Sequence, residues 1–394
     1  MSGMEQKSTR VGYKKSRNGC CDEEAPCSAC VRHKVPCSLA SPASSQSGEF
    51  AMASRSRQSS SNPPGPSPLS LFSSSLLASP LDEPDCWITT AELMLHYTTA
   101  AYRTLSFADN VIHTFQCDVP RQAIAHPYFL REVLAFSGFH LAYLNPEKKQ
   151  HYLLLASKHQ NLAIRGIREA LSGPITSTNC HAIYATSTLI VVNKFAAFPS
   201  CEDHLVHGCA MPIQALVEIF SLVNGMDAVL KSPGGADIKT GPLKELFGQC
   251  DHAYPTGELL QGLLDRVPEL IRWTQSESFD PGTRQVLTSA AESFNNCLTS
   301  VNGFPTAACP AEVRAMFWWP MLISRDFLDL AGSSHPLALV ILAYYDVLLY
   351  WGESRYWFFE DWAQVLISAI VDKVRGSQWE ELVSWPAGVI LHQE

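Results

Sequence analysis

Apolar residues recur at the spacing of an α-helix along most of the chain. Phe129, Val133, Phe136 and His140 repeat at intervals of four, three and four residues, which places them on one helical face. Strand signals are weak, because no Asn-Gly or Asp-Gly turn lies between segments of alternating polarity. Given typical helix lengths, the sequence predicts an all-α domain of roughly ten to fourteen helices over residues 83–394.

Two of these helices have specific expected features. The segment Asn-Pro-Glu at 145–147 predicts a helix start, with an Asn cap, Pro in the first turn and an acid at the positive end of the helix dipole. The helix that it opens is predicted to stop at the Gly-Pro pair at 173–174. Further upstream, the spacing of Leu95, Tyr102 and Leu105 predicts that these side chains share one apolar face.

The segment at 337–351 is the most apolar of the predicted helices. Its length is below the ~20 residues that cross a bilayer, and Asp346 interrupts it, so we expect a buried core helix and no membrane span. Aromatic residues gather at its C-terminal end: Tyr344, Tyr345, Tyr350, Trp351, Trp357, Phe358 and Phe359. Tyr344, Tyr345 and Trp351 are candidate residues of an apolar ligand pocket. Ordinary core packing is the alternative.

Residues 41–82 differ in composition from the predicted helical domain. The segment is mostly serine and proline, and it includes SSSNPPGPSP at 59–68. Such a segment has too little apolar surface to offset the entropy lost on ordering. The sequence therefore predicts a disordered linker between an N-terminal segment at 1–40 and the helical domain at 83–394.

Charge divides unevenly along the chain. Its overall formal charge is −9, although the N-terminal residues 1–37 carry more Lys and Arg than Asp and Glu. An acidic body repels phosphate, so any contact with nucleic acid is expected at the N-terminus. The candidate DNA-contacting residues are Lys14, Lys15, Arg17, Arg32 and Lys34. A solvated basic tail is the alternative for the first three of them.

Five of the thirteen cysteines stand close together near the N-terminus: Cys20, Cys21, Cys27, Cys30 and Cys37. Cys27 and Cys30 form a C-x2-C pair, and thiolates this close in sequence suit tetrahedral zinc. Zinc is therefore the expected cofactor. The remaining cysteines are scattered through apolar segments, as is usual for buried thiols in a reducing compartment such as the nucleus or cytosol.

The spacing Cys21-x5-Cys27-x2-Cys30-x6-Cys37 resembles the last four cysteines of the fungal binuclear zinc cluster. In that family six cysteines hold two zinc ions, and a short helix enters the DNA major groove. Cys20 matches the first family cysteine and Cys21 the third, whereas the second cysteine and the basic recognition segment are absent. The resemblance implies a truncated cluster in which Cys20, Cys27, Cys30 and Cys37 hold one zinc. It also implies weakened binding to double-stranded DNA.

The predicted helices carry a second resemblance, to the regulatory domain of the fungal sterol-uptake-control proteins. The match covers about residues 86–390 in the family's order, and in FSLVNGMDAVL it has Asn224 where arginine is commoner. Its best segments are HPYFLREVLAFSGFHLAYLNP, YLLLASKHQNLAIRGIREAL, NCHAIYATSTLIVVNKFA, HPLALVILAYYDVLL, WFFEDWAQVLI and WEELVSWP. The resemblance implies a helical homodimer and, as in some relatives, a pocket for a sterol or another apolar small molecule.

Other chemistry is poorly supported by the sequence. Cys201, His204, His207 and Cys209 have metal-like spacing, but on a helix Cys209 would point away from the two histidines. A surface histidine pair with buried cysteines is the expected arrangement. The chain contains no G-x-S-x-G, P-loop, H-E-x-x-H or G-x-G-x-x-G motif, so we expect no enzyme.

Two functions remain open on the sequence. The first is a nuclear, zinc-dependent, DNA-binding regulator of RNA polymerase II genes, with sterol or lipid metabolism or a secondary-metabolite pathway as candidate targets. The alternative is a helical ligand-sensing or dimerisation module that has lost specific DNA binding and acts through partner proteins. The two functions are distinguished by a stretch of about nine residues that the family pattern has between the positions of Cys20 and Cys21. Its presence would favour the DNA-binding regulator, and its absence favours the alternative.

The truncated cluster predicts at most one tightly bound zinc per chain. We expect metal analysis of the purified chain to give at most one zinc per chain. Cys30→Ser should abolish zinc binding and leave the N-terminal segment unstructured, because zinc binding folds such small modules. Ser28→Ala, in the same segment, removes no thiolate and should keep the zinc. Two tightly bound zinc ions per chain would contradict the prediction.

Overall fold

Every regular element in the described part of the chain is a helix, which confirms the predicted all-α class. The computed structural model describes residues 86–106, 109–198, 211–248, 254–276, 279–304 and 309–391. Within these ranges the fifteen α-helices, twelve of them with eight or more residues, are α1 (Cys86–Thr99), α2 (Asp109–His113), α3 (Val119–Ala125), α4 (Pro127–Leu144), α5 (Lys149–Ser172), α6 (Cys180–Ala197), α7 (Pro212–Leu230), α8 (Gly235–Ile238), α9 (Glu258–Thr274), α10 (Pro281–Asn302), α11 (Ala311–Leu322), α12 (Arg325–Gly332), α13 (Pro336–Glu353), α14 (Trp362–Val374) and α15 (Glu380–Leu391).

Short helical turns connect several of the α-helices. They are the 3₁₀ helices Ala101–Leu105, Pro146–Lys148, Lys244–Phe247 and Trp357–Phe359 and the π-helical turn Thr114–Asp118. The described residues fall in one unit, at 65–394. The predicted N-terminal segment and linker lie outside the described residues, and so do the cysteines and histidines at 201–209.

The helix α13 is the centre of the core, as its sequence predicts. Fifteen of its eighteen residues are buried. The helices α9, α10, α11, α12, α14 and α15 all pack against it. The large side chains around it include Trp319 of α11 and Trp362 of α14, both fully buried. Because α13 is apolar on every side, the helices that bury its surface have to pack around it.

The helices α1, α4, α5 and α6 form a second group, in which α1, α5 and α6 pack against α4. The backbones of α4 and α5 approach closely at Gly138, where an added Cβ would lie 2.9 Å from the Cβ of Ala156. A side chain at position 138 would therefore push the two helices apart. Leu93 and Tyr97 of α1 are fully buried, so α1 presents this face to the core, and Leu95 is 64% exposed. The prediction that Leu95 shares one apolar face with Tyr102 and Leu105 is wrong, because α1 ends at Thr99 and the two other residues are buried on the 3₁₀ helix that follows it.

The predicted helix at 145–172 begins later than its sequence indicates. The residues after Asn145 form a 3₁₀ turn, and α5 starts at Lys149 and ends at Ser172, directly before Gly173 as predicted. Asn145 does not cap α5 with its side chain. Instead its Nδ2 donates to the carbonyl oxygen of Leu141 at 2.8 Å, so the amide satisfies the end of α4.

Two helices are long and apolar enough to cross a membrane by length and composition, α7 and α13. The apolar window is 83% buried in α13 and 44% buried in α7. Buried core helices pass the same test, so length and composition alone are weak evidence for a membrane span.

A buried carboxyl group joins three helices of the second group. Glu132 of α4 is fully buried, and its Oε1 accepts hydrogen bonds from Nδ2 of Asn193 at 2.7 Å and from Nε2 of Gln160 at 3.5 Å. Burial raises the pKa of Glu132 to about 8. Since an unfolded glutamate has a pKa near ~4.3, the folded protein holds an extra proton between these two values.

This extra proton predicts how stability depends on pH. The contribution of Glu132 to the free energy of unfolding is fully present below the pKa that this residue has in the unfolded chain. It falls by about 1.4 kcal/mol per pH unit as pH rises toward 8, because ionising the buried carboxyl is unfavourable. Glu132→Gln keeps an acceptor for Asn193 and cannot ionise, so it should flatten this fall in urea titrations at a series of pH values. Glu169→Gln, exposed on α5, is the control. An unchanged pH profile in Glu132→Gln would contradict the prediction.

Candidate ligand-binding cavity

A cavity of about 590 Å³ has α6 and α11 among its walls, and none of the described residues that line it belongs to α13. Most of the described residues that line it are apolar, and they come from α1, α2, α3, α4, α6, α7, α11 and several of the short helical turns. Its size falls within the range of about 300–1,000 Å³ that is usual for pockets that bind small molecules. An apolar cavity of this size suits an apolar ligand.

The two main walls of the cavity are matching stripes on α6 and α11. Each helix contributes residues at the same five relative positions, which lie along one helical face. The stripe on α6 consists of Tyr184, Ala185, Thr188, Leu189 and Val192. The stripe on α11 consists of Val313, Arg314, Phe317, Trp318 and Met321. The stripe on α11 is partly open to solvent, since Trp318 is 41% exposed.

Tyr97 adds a buried hydroxyl to the cavity lining. Its side chain is fully buried and its ring lies edge-on to that of Phe136, with centroids 6.5 Å apart. Among the described residues its hydroxyl has no hydrogen-bond partner. Burial raises the pKa of the Tyr97 hydroxyl, so it is a neutral donor at physiological pH. A hydroxyl of this kind is available to a polar group of a ligand.

The charged residues in the cavity lining are both basic. They are Lys239, which is exposed, and Arg314, which is partly buried. No Asp or Glu occurs among the described residues that line the cavity. Arg314 is held in place by backbone carbonyl groups: its Nη2 donates to Val301 and Phe304, both at 2.7 Å, and its Nε donates to Cys309 at 3.2 Å.

The predicted pocket residues at the end of α13 take other positions. Tyr344 packs beside Trp385, with ring centroids 5.7 Å apart. The hydroxyl of Tyr345 donates to the carbonyl oxygen of Met316 at 3.0 Å. Trp351 carries the guanidinium of Arg355 over its ring. None of Tyr344, Tyr345 and Trp351 is among the lining residues of this cavity, so a ligand role for them stays a prediction.

Two neighbours from the same aromatic cluster do line the cavity. Phe358 and Phe359 stand on the 3₁₀ helix after α13 and are buried. Sequence reasoning missed the other walls, although one signal was present. The segment AEVRAMFWWPML at 311–322 has large apolar residues around the whole helix, and such a helix is expected to be covered on more than one side.

The predicted zinc and DNA residues lie outside the described residues. This applies to the five clustered cysteines and to Lys14, Lys15, Arg17, Arg32 and Lys34, which stay predictions. In the part of the chain that the structure describes, no group of three or more His, Cys, Asp or Glu side chains is placed to hold a metal ion.

Comparisons with known proteins point to fungal regulators. No family model matches the chain. A segment of 112 residues, 28% of this chain, is 30% identical to sterol uptake control protein 2 of Candida albicans, and the match spans 15% of that protein's length. The chain is also 23% identical to a Zn(2)-C6 fungal-type transcription factor of Gibberella zeae, over 97% of this chain and 87% of the relative. These similarities support a relationship to fungal zinc-cluster transcription regulators.

The second alignment also bears on the length of the chain. It extends over 447 positions, more than the 394 residues of this chain. It therefore contains positions at which the Gibberella protein has residues and this chain has none.

The unpaired hydroxyl in the cavity lining predicts an unusual stability change. Tyr97→Phe should raise the free energy of unfolding by about 1 kcal/mol, because a buried hydroxyl without a partner is destabilising. Tyr345→Phe is the matched control and should lower it by about 1 kcal/mol, because it removes a buried hydrogen bond. Urea denaturation without added lipid measures both. Equal losses in the two variants would show that the Tyr97 hydroxyl already has a partner.

Proposed function

We propose that this chain is a nuclear transcription regulator of the fungal zinc-cluster type, which binds zinc and double-stranded DNA and controls RNA polymerase II genes. The observation that carries the proposal is the similarity to a Zn(2)-C6 fungal-type transcription factor over 97% of the chain. The cysteine spacing between Cys21 and Cys37 supports it independently. The proposed arrangement is a zinc and DNA segment at 1–40, a linker at 41–82 and a regulatory domain at 83–394.

In the proposed regulator, the N-terminal segment holds one zinc through Cys20, Cys27, Cys30 and Cys37, and Cys21 is either spare or competes with Cys20. Its basic residues contact DNA phosphates. Phosphate contacts position a protein on DNA but carry no sequence information, which needs side chains aimed at base edges. The chain lacks the basic segment that would supply these side chains in the family pattern.

The helical domain is the proposed ligand sensor. Its apolar cavity between α6 and α11 suits an apolar small molecule, and the similarity to a sterol uptake control protein makes a sterol one candidate. Genes of sterol or lipid metabolism, or of a secondary-metabolite pathway, are the corresponding proposed targets. A homodimer is also proposed: Trp87, Ile88 and Leu95 on α1 are more than half exposed, and an interface would remove this apolar surface from water.

Gel-shift titration tests the DNA part of the proposal. The chain with a family-like second cysteine and basic stretch inserted after Cys20 should select one motif from a random DNA pool. It should prefer this motif over other DNA by at least about 10³-fold, as specific DNA-binding proteins do. The unmodified chain should bind the same DNA weakly, with strong salt dependence and less than about tenfold preference. The same insertion combined with Cys30→Ser is the control and should lose selectivity.

Two results would contradict this proposal. Strong sequence preference by the unmodified chain would show that the missing stretch is not needed for readout. No selectivity in the inserted variant would instead favour the alternative function, a ligand-sensing or dimerisation module that acts through partner proteins.

A further inference from the structure

The charge of the cavity lining is opposite to the charge of the chain. The chain has 38 Asp and Glu against 29 Lys and Arg, yet the charged residues among the described lining residues are Lys239 and Arg314. Two cations beside an apolar cavity favour a ligand that carries negative charge. A neutral ligand would leave both charges without a counter-charge from inside the cavity.

The guanidinium of Arg314 is fixed by three hydrogen bonds from Nε and Nη2 to backbone carbonyls. The buried Glu312 next on the chain but one is close enough to interact with it electrostatically, although it forms no hydrogen-bonded ion pair with it. None of the ion pairs in the described part of the chain includes Arg314. The remaining guanidinium nitrogen of Arg314, Nη1, takes no part in the three hydrogen bonds to backbone carbonyls. A fixed guanidinium loses little entropy when it binds a carboxylate, which its planar donors match well.

Lys239 adds a second positive charge to the lining of the same cavity. It directly follows α8 and is exposed, and Trp318 of α11 is also partly exposed. Among the described residues Lys239 forms no ion pair. The walls of α6 and α11 behind it are apolar apart from Thr188, Arg314 and the phenol group of Tyr184. The cavity lining is therefore mostly apolar, and its two charged residues are both positive.

We propose that the ligand of this cavity is an amphipathic anion, a long apolar body that ends in a single carboxylate. The apolar body lies between the stripes of α6 and α11, and the carboxylate faces Lys239 and Arg314. The proposal rests on the ligand-sensing role given to the helical domain and names the chemical class of its ligand. A carboxylate receives charge-assisted hydrogen bonds here, whereas an alcohol of the same length receives only neutral ones.

Isothermal titration of the full chain with dodecanoate and with 1-dodecanol tests the proposal, because the two compounds share one apolar body. We expect dodecanoate to bind about tenfold more tightly than 1-dodecanol, the difference that one charge-assisted hydrogen bond produces. Lys239→Gln should weaken dodecanoate binding about fivefold, as for a partly exposed ion pair, and leave 1-dodecanol binding unchanged.

Lys244→Gln is the matched control. Lys244 is an exposed lysine five residues further along, next to Glu245 at 3.9 Å, and it is not among the lining residues. Its substitution removes the same charge and should leave dodecanoate binding within about twofold. Arg314 is not used as the test position because it also holds three backbone carbonyl groups in place.

The outcomes separate this inference from the proposed function. If 1-dodecanol binds as tightly as dodecanoate, or if Lys244→Gln weakens binding as much as Lys239→Gln, the anionic class is wrong while a ligand-sensing domain stands. If dodecanoate, 1-dodecanol and ergosterol all fail to bind, both the anionic class and the ligand-sensing role are wrong.

Discussion

The complete burial of α13 is the constraint on which the rest of the helical domain depends. A helix that is apolar on every side must be covered on every side, and six other α-helices supply that cover. One of them, α11, turns Met316 and Trp319 toward the core and accepts a hydrogen bond from Tyr345 of α13 at the carbonyl oxygen of Met316. Its opposite side, with Phe317 and Trp318, is then left to form a wall of the cavity.

The features predicted correctly from sequence are those that follow from local periodicity. The repeat that begins at Phe129 predicts α4, and the Gly-Pro pair at 173–174 predicts the end of α5. Both signals depend only on residues that are close together in the sequence. The exposure of Leu95 depends instead on which face of α1 the helix α4 covers, and α4 lies more than thirty residues away in sequence. The orientation of a surface helix is a tertiary property that periodicity alone leaves open.

The cavity was harder to predict because its residues come from distant parts of the chain. Tyr97, Lys239 and Arg314 meet only in the folded domain, and no short motif joins them. The aromatic cluster after α13 indicated the right neighbourhood, since Phe358 and Phe359 line the cavity. Tyr344 and Tyr345 do not line the cavity because they lie on α13 itself, where their side chains are buried in the core. Large apolar residues on both sides of α11 were the clearest unused signal.

We propose above all that the helical domain is a ligand sensor whose cavity is lined by α6 and α11, and that this domain stays folded without zinc. Amide hydrogen exchange on the full chain tests this most directly, with dodecanoate added or with zinc removed by a chelator. We expect dodecanoate to slow exchange most strongly in α6 and α11, and the chelator to leave exchange in α13 unchanged. Unchanged exchange in α6 and α11 with ligand, or faster exchange in α13 without zinc, would contradict it.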